Sequence, residues 1–476
     1  MNTILLQPTD VLFFRDGRPM SGSLAGHTAG WPLPDVTNHA LHAALHRAEF
    51  NGVHTHRRGR GGIYSDAPDQ RDRKFGSLVT AGPFPVDGQG RWFFPRPKDA
   101  RKGGSTAVTL LPVRDASAED EDPRRGSSLP IPLKYAVANS LPPDKEAGGE
   151  PWISAGAFDA YLRDPENPRP SGEAYFLSDD AIADREANLG IEIDPETQTT
   201  GRGQTDGKIY TAHYLRLREG FRLGMFAKAH DKDFNEHDGD LVKALLNGHP
   251  TQIVVGGQQR ICTAEVTQQN PLPLPMGLTE DFCYVGDGSS KRWLVKWVLL
   301  SPAVWPEIPD GTSKRGIRTR YHPGGWLPNW ICPDTGQVLL RTVPPEERRR
   351  RRSLNYSNQG YATDVNAAAI SARVVAAVVP KPIVVTGWAL GEPASDPGRQ
   401  PGAKSTHLAV PAGAVYYFEA ETEEAAVALA HALNWHGANN RADFKNRRST
   451  LMGEKGYGLG VCGTWKFYPD VAGRPV

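Results

Sequence analysis

An α+β fold with many short strands and few helices is what this sequence predicts, and three observations carry it. Forty prolines and 50 glycines, with a negative mean hydropathy, are too many for a helical bundle and demand frequent turns. Only two stretches show clear helical periodicity, whereas compact apolar or alternating runs recur along the whole chain. Near the C-terminus the order is strand, helix, strand, which fits the closing half of a β-α-β-β-α-β unit. The 476 residues accommodate two such ferredoxin-like (RRM-like) domains in tandem with long loop and hairpin insertions, at roughly 150 residues per domain as a soft guide. The expected division is an N-terminal domain over 1–220 and a C-terminal domain over 221–476.

The first element expected is a strand over Thr3–Gln7, continued in extended form through Val11–Phe14 and stopped by Asp16-Gly17. A helix follows from Asp35 to Phe50. Leu41, Ala44, Leu45 and Ala48 form its apolar stripe, and Thr37 or Asp35 is available as N-cap. His39, His42 and His46 fall on the opposite face; zinc would need a fourth ligand there, so a solvated face is expected. Ala81–Phe84 and Arg91–Pro97 read as short strands closed by proline. The segments 54–76 and 99–128, mixed in charge and rich in small residues, read as insertions without regular structure. Asn188–Asp194 and Lys208–Leu215 alternate as two strands of a long exposed hairpin joined by 195–207.

In the second half, Trp293–Leu300, Ala372–Val379 and Ala414–Phe418 read as strands. From Thr422 to His436, Ala425, Ala426, Leu429, Ala430 and Leu433 recur at helical spacing. Thr422 caps this helix, and glutamates at its first turn favour the helix dipole. The last strand is expected at Thr464–Tyr468.

Charge excludes some classes. Lys and Arg (55) nearly balance Asp and Glu (54), so any polyanion-binding surface is local. No apolar run reaches the roughly 18 residues of a membrane span, and the N-terminal segment lacks a signal peptide's basic and apolar regions, so a cytoplasmic protein without membrane contact is expected. Cys262, Cys283, Cys332 and Cys462 form no Cys-x-x-Cys pair, which argues for reduced thiols and neither a zinc knuckle nor a disulfide framework. No cofactor or metal is expected.

The segment Gly453-Glu-Lys-Gly-Tyr-Gly-Leu-Gly-Val-Cys-Gly463 is the most distinctive motif. Residues without a Cβ turn through positive φ and let amides approach an anion. The segment lacks the Gly-Lys-Ser/Thr ending of a P-loop, and it follows a helix and a cationic stretch where a dinucleotide loop would follow a strand. Arg441, Lys445, Arg447, Arg448 and Lys455 lie beside it, so cations and the amides of Gly456, Gly458 and Gly460 would converge on one anion. Tyr457 either stacks on a base or fills a gap beneath the loop. Arg348–Arg352 is a solvated charge run, suited equally to a linker and a nucleic-acid contact.

Further pieces recur in one order: Phe13-Phe-Arg-Asp-Gly-Arg-Pro19, Trp31-Pro-Leu-Pro34, Gly82-Pro-Phe84, Phe94-Pro-Arg-Pro97, Arg185 with Gly190–Asp194, Gly207-Lys-Ile-Tyr210, Gly256-Gly-Gln-Gln-Arg260, Leu300–Ala303, Gly387-Trp388, Lys404, Val410–Tyr416 and the glycine segment. Together they resemble the third subunit of the type III-B CRISPR (Cmr) effector complex, in the RAMP superfamily. The resemblance implies two ferredoxin-like domains and a noncatalytic subunit that binds the 5′ handle of the CRISPR RNA. It also implies that the subunit caps the backbone filament, contacts a backbone RAMP subunit, docks the large polymerase-like subunit, and meets target RNA only indirectly. The hairpin 188–215 is similar to the thumb of backbone RAMP subunits. On this resemblance the RNA-binding residues are Arg15, Arg18, His27, Arg185, Tyr210, Lys404, Arg447, Arg448, Lys455, Gly456, Tyr457, Gly458 and Gly460. Two alternatives stand beside it. One is a metal-independent RAMP ribonuclease using His27 as acid or base, whose unperturbed pKa suits the task; the other is a protein scaffold without RNA contact.

Overall fold

The computed structural model describes residues 1–14, 25–26, 30–48, 78–100, 108–112, 133–139, 150–163, 176–191, 193, 198–199, 209–230, 236–247, 249–267, 269–312, 318–342, 369–389, 402–403, 405–438 and 441–467. The expected insertion 54–76 and the Arg348–Arg352 run lie outside these. The chain is mixed α and β, with several antiparallel sheets.

The first large sheet has five strands in the order Thr251–Val254, Ile261–Thr267, Asn2–Pro8, Arg222–Lys228, Val79–Val86. All its neighbours are antiparallel. The second runs Tyr284–Val285, Arg292–Leu299, Val415–Ala420, Ala372–Val378, with Gly460–Thr464 also paired to Arg292–Leu299, again antiparallel throughout. The boundary expected at 220/221 falls just before Arg222–Lys228, which pairs in the middle of the first sheet; hydrogen bonding carries the chain through Thr267 into that sheet.

Each large sheet carries a helix on one face. Pro34–Arg47 begins one residue before the expected start, because Pro34 supplies the preset φ of a first helical position and has no N–H to leave unpaired. No side chain caps it; Thr37 lies inside the helix and donates to the Pro34 carbonyl at 3.1 Å. Leu41, Ala44 and Leu45 are buried against Ile4, Leu6, Leu223 and Met225, whereas Ala48 is exposed. The histidine face is less solvated than expected: only His39 is exposed, and His42 and His46 are half-buried with ring centroids 4.6 Å apart. Burial pushes His42 down to about 4, helped by His46 and Lys455.

The second helix, Glu423–Leu433, is capped as expected: Thr422 Oγ1 accepts from the Ala425 N–H at 3.1 Å, with Glu423 and Glu424 in the first turn. Its Ala426, Leu429, Ala430 and Leu433 pack with Val295, Trp297, Tyr416 and Phe418. It stops at Leu433, three residues before His436.

The faces turned away from the helices share one core. Ala81, Phe84 and Phe226 of the first sheet join Leu294, Val298, Tyr417 and Val461 of the second, with Trp92, Phe94, Phe158, Tyr161 and Trp465 among them. Asp99, expected in an unstructured insertion, is 3% exposed within this region and accepts from the hydroxyls of Tyr161 (2.5 Å) and Tyr417 (2.7 Å). Val108–Pro112, in the same expected insertion, pairs with Tyr135–Asn139.

The predicted hairpin exists as an arm. Ala183–Ile191 and Ile209–Leu217 pair in register from Leu217↔Ala183 to Ile209↔Ile191, and Ala25–Gly26 adds a parallel third strand at Thr211–Ala212. It reaches further toward the body than the sequence suggests. All four cysteines are free thiols, and burial pushes Cys262 up to about 12. Among the described residues no helix is long and apolar enough to cross a membrane.

Candidate nucleic-acid interface

At the base of the arm, three distant segments meet. Leu12 and Leu215 exchange both backbone hydrogen bonds at 2.8 Å, which sets Phe13 beside Tyr214 with ring centroids 5.6 Å apart. The turn between Thr251–Val254 and Ile261–Thr267 closes on them. Gly257 N–H donates to the Phe13 carbonyl at 2.9 Å, and a Cβ on Gly256, at φ +81°, would lie 2.5 Å from that oxygen. Gln258 and Gln259 follow at φ 54° and 51°, a conformation that costs a non-glycine residue about 1–2 kcal/mol. The strain aims Gln258 at the arm. Its Oε1 accepts from the Tyr214 hydroxyl at 2.8 Å and from Arg260 at 3.3 Å.

Arg260 lies with its guanidinium carbon 4.9 Å from the Tyr214 ring centroid, and its buried Nε–H has no acceptor among the described residues. Asp10 is 3.7 Å from Arg260 and 2.9 Å from Arg216, and Glu186 also pairs with Arg216. Two aromatic rings, a stacked guanidinium and a glutamine amide therefore share one surface on which local acids already balance the cations. That chemistry suits a planar, hydrogen-bonding ligand such as an unpaired base better than a bare phosphate. By strand alternation, Arg185, Leu189 and Ile191 face the other side of the arm. Arg185 lies 3.6 Å from Asp179, and Leu189 and Ile191 are exposed. Tyr210 sits opposite Gly190 in the register, nearer the tip.

Of the other residues expected to bind RNA, Arg15, Arg18, His27 and Lys404 lie outside the described residues. Ala25–Gly26, immediately before His27, lies against the arm. The glycine segment is placed elsewhere and engaged with protein. Gly458 N–H donates to Pro302 O at 2.7 Å, Gly456 N–H to Gly453 O at 3.1 Å, and Tyr457 N–H to Met452 O at 3.3 Å. A Cβ on Gly458, at φ +77°, would sit 2.0 Å from Ser449 N, and one on Gly456, at φ +96°, 2.9 Å from Ala81 Cα.

Gly460 begins the last strand, four residues earlier than Thr464, where that strand was expected to start; its Cβ would strike Trp297 Nε1 at 2.2 Å. Tyr457 is fully buried and donates to Asp35 Oδ1 at 2.9 Å, so it fills the gap beneath the loop. Burial and Asp35 raise its pKa. Arg448 folds its guanidinium inward onto the Ala432 carbonyl, with Nε 2.7 Å away, and desolvation pushes it down to about 10. Arg447 lies against Phe444 at 5.5 Å, and Lys455 Nζ is 3.1 Å from His39 Nε2. The segment is thus a joint: close packing needs its glycines, and the amides of Gly456, Tyr457 and Gly458 are spent on protein acceptors.

Residues 4–465, nearly the whole chain, match the CRISPR-associated protein family Cas_Cmr3. The chain belongs to that family. No curated protein matches. Two solved structures are similar, each covering 87% of this chain and 86% of its own with a TM-score of 0.35: "Cryo-EM structure of the Type III-B Cmr-beta bound to cognate target RNA and AMPPnP, state 1", at 12% identity, and "Cryo-EM structure of the Type III-B Cmr-beta bound to cognate target RNA", at 13%.

The Cas_Cmr3 match includes Phe13, Tyr214 and the Gly256–Arg260 turn. Reasoning from sequence named Phe13 and that turn only as shared motifs and passed over Tyr214, which alternation alone does not distinguish from Tyr210. The available signal was a cation and two consecutive glutamines following paired glycines between two strands.

Proposed function

We propose that this protein is a noncatalytic RNA-binding subunit of a type III-B CRISPR effector complex. It takes the unpaired 5′ handle of the CRISPR RNA at the base of the arm, caps the backbone filament against a neighbouring RAMP subunit, and docks the large polymerase-like subunit. In this reading the two large sheets are tandem ferredoxin-like domains whose boundary follows Thr267 rather than residue 220, and the arm serves as a thumb. The strand orders support the tandem reading: in each sheet the first strand of the unit lies between its last and third, and the second lies at one edge. Family membership supports the assignment to a CRISPR complex.

The observation that carries the RNA site is the convergence of Phe13, Tyr214, Gln258 and Arg260 from three separate segments. The faces of both large sheets are covered, one by its helix and the other by the shared core, which leaves their edges and the arm for a strand of RNA. Binding of handle RNA to purified protein tests it. Replacing Tyr214 with alanine removes a stacking platform of about 1–3 kcal/mol, so affinity should fall roughly 5- to 150-fold. Unchanged affinity for both Tyr214→Ala and Arg260→Ala would move the RNA away from the arm's base.

A further inference from the structure

The second sheet carries an exposed aromatic and cationic platform that the arm does not use. Tyr284 and Trp293 face each other across the pair of strands Tyr284–Val285 and Arg292–Leu299, with ring centroids 6.1 Å apart at 46°. Tyr284 is 57% exposed, unlike the aromatic residues of the core. Lys291 Nζ stands 3.5 Å from the Tyr284 ring centroid and 4.9 Å from that of Trp293. The neighbouring Arg292 guanidinium is held in place by its own turn: Nη1 donates to the Lys291 carbonyl at 2.8 Å and the Ser289 carbonyl at 3.3 Å. Gly288, at φ +55°, leaves open space beside that turn.

We infer that this platform is a second RNA contact, taking one unpaired nucleotide of a single strand. An exposed ring accepts any base on its π face, and the adjoining ammonium is placed for the phosphate that accompanies it. Lys291 resting on the rings in the free protein keeps them partly desolvated; it swings to the phosphate when a base replaces it. A peptide partner would call for an apolar groove, whereas this patch is two rings with the Lys291 ammonium against both. The contact is sequence-tolerant, because every base has a π face to stack on the ring. It is independent of the site at the arm, from which it differs in sheet and residues.

The test uses the full chain and fluorescein-labelled single-stranded RNAs, one with the handle sequence and one an unrelated heteropolymer. Tyr284→Ala should weaken both RNAs about 5- to 150-fold, as loss of one stacked base does. Tyr284→Phe should stay within about twofold of the wild type, and Lys291→Ala should lower affinity and reduce its salt dependence. A photoreactive 4-thiouridine in the unrelated RNA should crosslink near Tyr284 in the wild type and lose that crosslink in Tyr284→Ala. Equal affinity and an unchanged crosslink pattern in Tyr284→Ala would overturn the inference. So would variants that bind RNA normally but fail to assemble with other subunits, since the platform would then serve a protein. Because Tyr214→Ala is measured in parallel, failure at one site is distinguishable from failure at the other.

Discussion

Arg448 shows how a cation near a glycine loop can be structural. The last carbonyls of a helix have no partner within it, and Arg448 satisfies that of Ala432, while Asn446 Nδ2 donates to the carbonyls of His431 and Asn434 at 2.8 Å. Arg448→Ala should therefore lower stability by about 1–3 kcal/mol, read as a fall in the urea midpoint, and alter RNA affinity little once folded protein is selected. Gly458→Ala should destabilise strongly, because its φ of +77° and the 2.0 Å approach to Ser449 N both reject a Cβ. Gly453→Ala is the control, for its nearest neighbour would be Arg447 Cβ at 3.5 Å, and its melting temperature should stay close to wild type. Equal stability of the two variants would refute the packing account. Spacing alone does not separate glycines that approach an anion from glycines that pack, since the atoms that exclude a Cβ come from Ser449, Thr80, Trp297 and Leu162, outside the segment.

At the scale of elements, the legible parts were those whose signals are local. Thr422 with its following glutamates predicted the Glu423–Leu433 helix at its true start, and the alternating runs predicted the arm. What sequence missed was set by contact with other elements. The glycine segment became half strand because Gly460–Thr464 pairs with Val295–Leu299, leaving only the preceding turns as a loop. Those turns join the two halves of the chain. Tyr457 reaches Asp35 and Lys455 meets His39 on the first helix, and Gly456 closes on Thr80 and Ala81 of the first sheet. Tyr457→Phe keeps the buried ring and removes the bond, so it should cost about 0.5–1.5 kcal/mol. Hydrogen exchange should rise first at the end of the Pro34–Arg47 helix nearest Asp35. A uniform rise, or none, would contradict a joint between halves.

Across the whole molecule, titration couples to stability through two half-buried groups of opposite sign. His42 is pushed down to about 4, so between about 6.5 and about 4 the unfolded chain takes a proton that the folded chain refuses, and stability falls as pH drops through that window. Asp159 is pushed up to about 6 mainly by burial, although the Met276 N–H bonds it at 2.6 Å. Its contribution is full below about 3.8 and is lost as pH rises through about 6. His42→Gln should therefore flatten the loss of melting temperature between pH 7.5 and 5.0, and Asp159→Asn should raise the melting temperature at pH 7.5 relative to wild type. A His42→Gln profile parallel to that of wild type would show that the imidazole is not the group responsible.

On the proposed function, the same balance of charge shapes RNA binding on the scale of the whole chain. With 55 basic and 54 acidic residues, no global field draws RNA in, and at the arm Asp10 and Glu186 already hold Arg216. Stacking and amide contacts are insensitive to salt, whereas each phosphate neutralised on a single strand adds about −0.7 to the slope of log affinity against log salt. A site built like the arm's base should therefore bind handle RNA with a shallow slope, equivalent to a few phosphates. Tyr214→Ala should shift the line downward without changing its slope, because the lost interaction is a stacked face. Arg260→Ala should both lower it and flatten it by about 0.7 if the guanidinium meets a phosphate, and lower it alone if it meets a base edge. A steep wild-type slope that neither variant changes would place the binding energy on cations elsewhere in the chain.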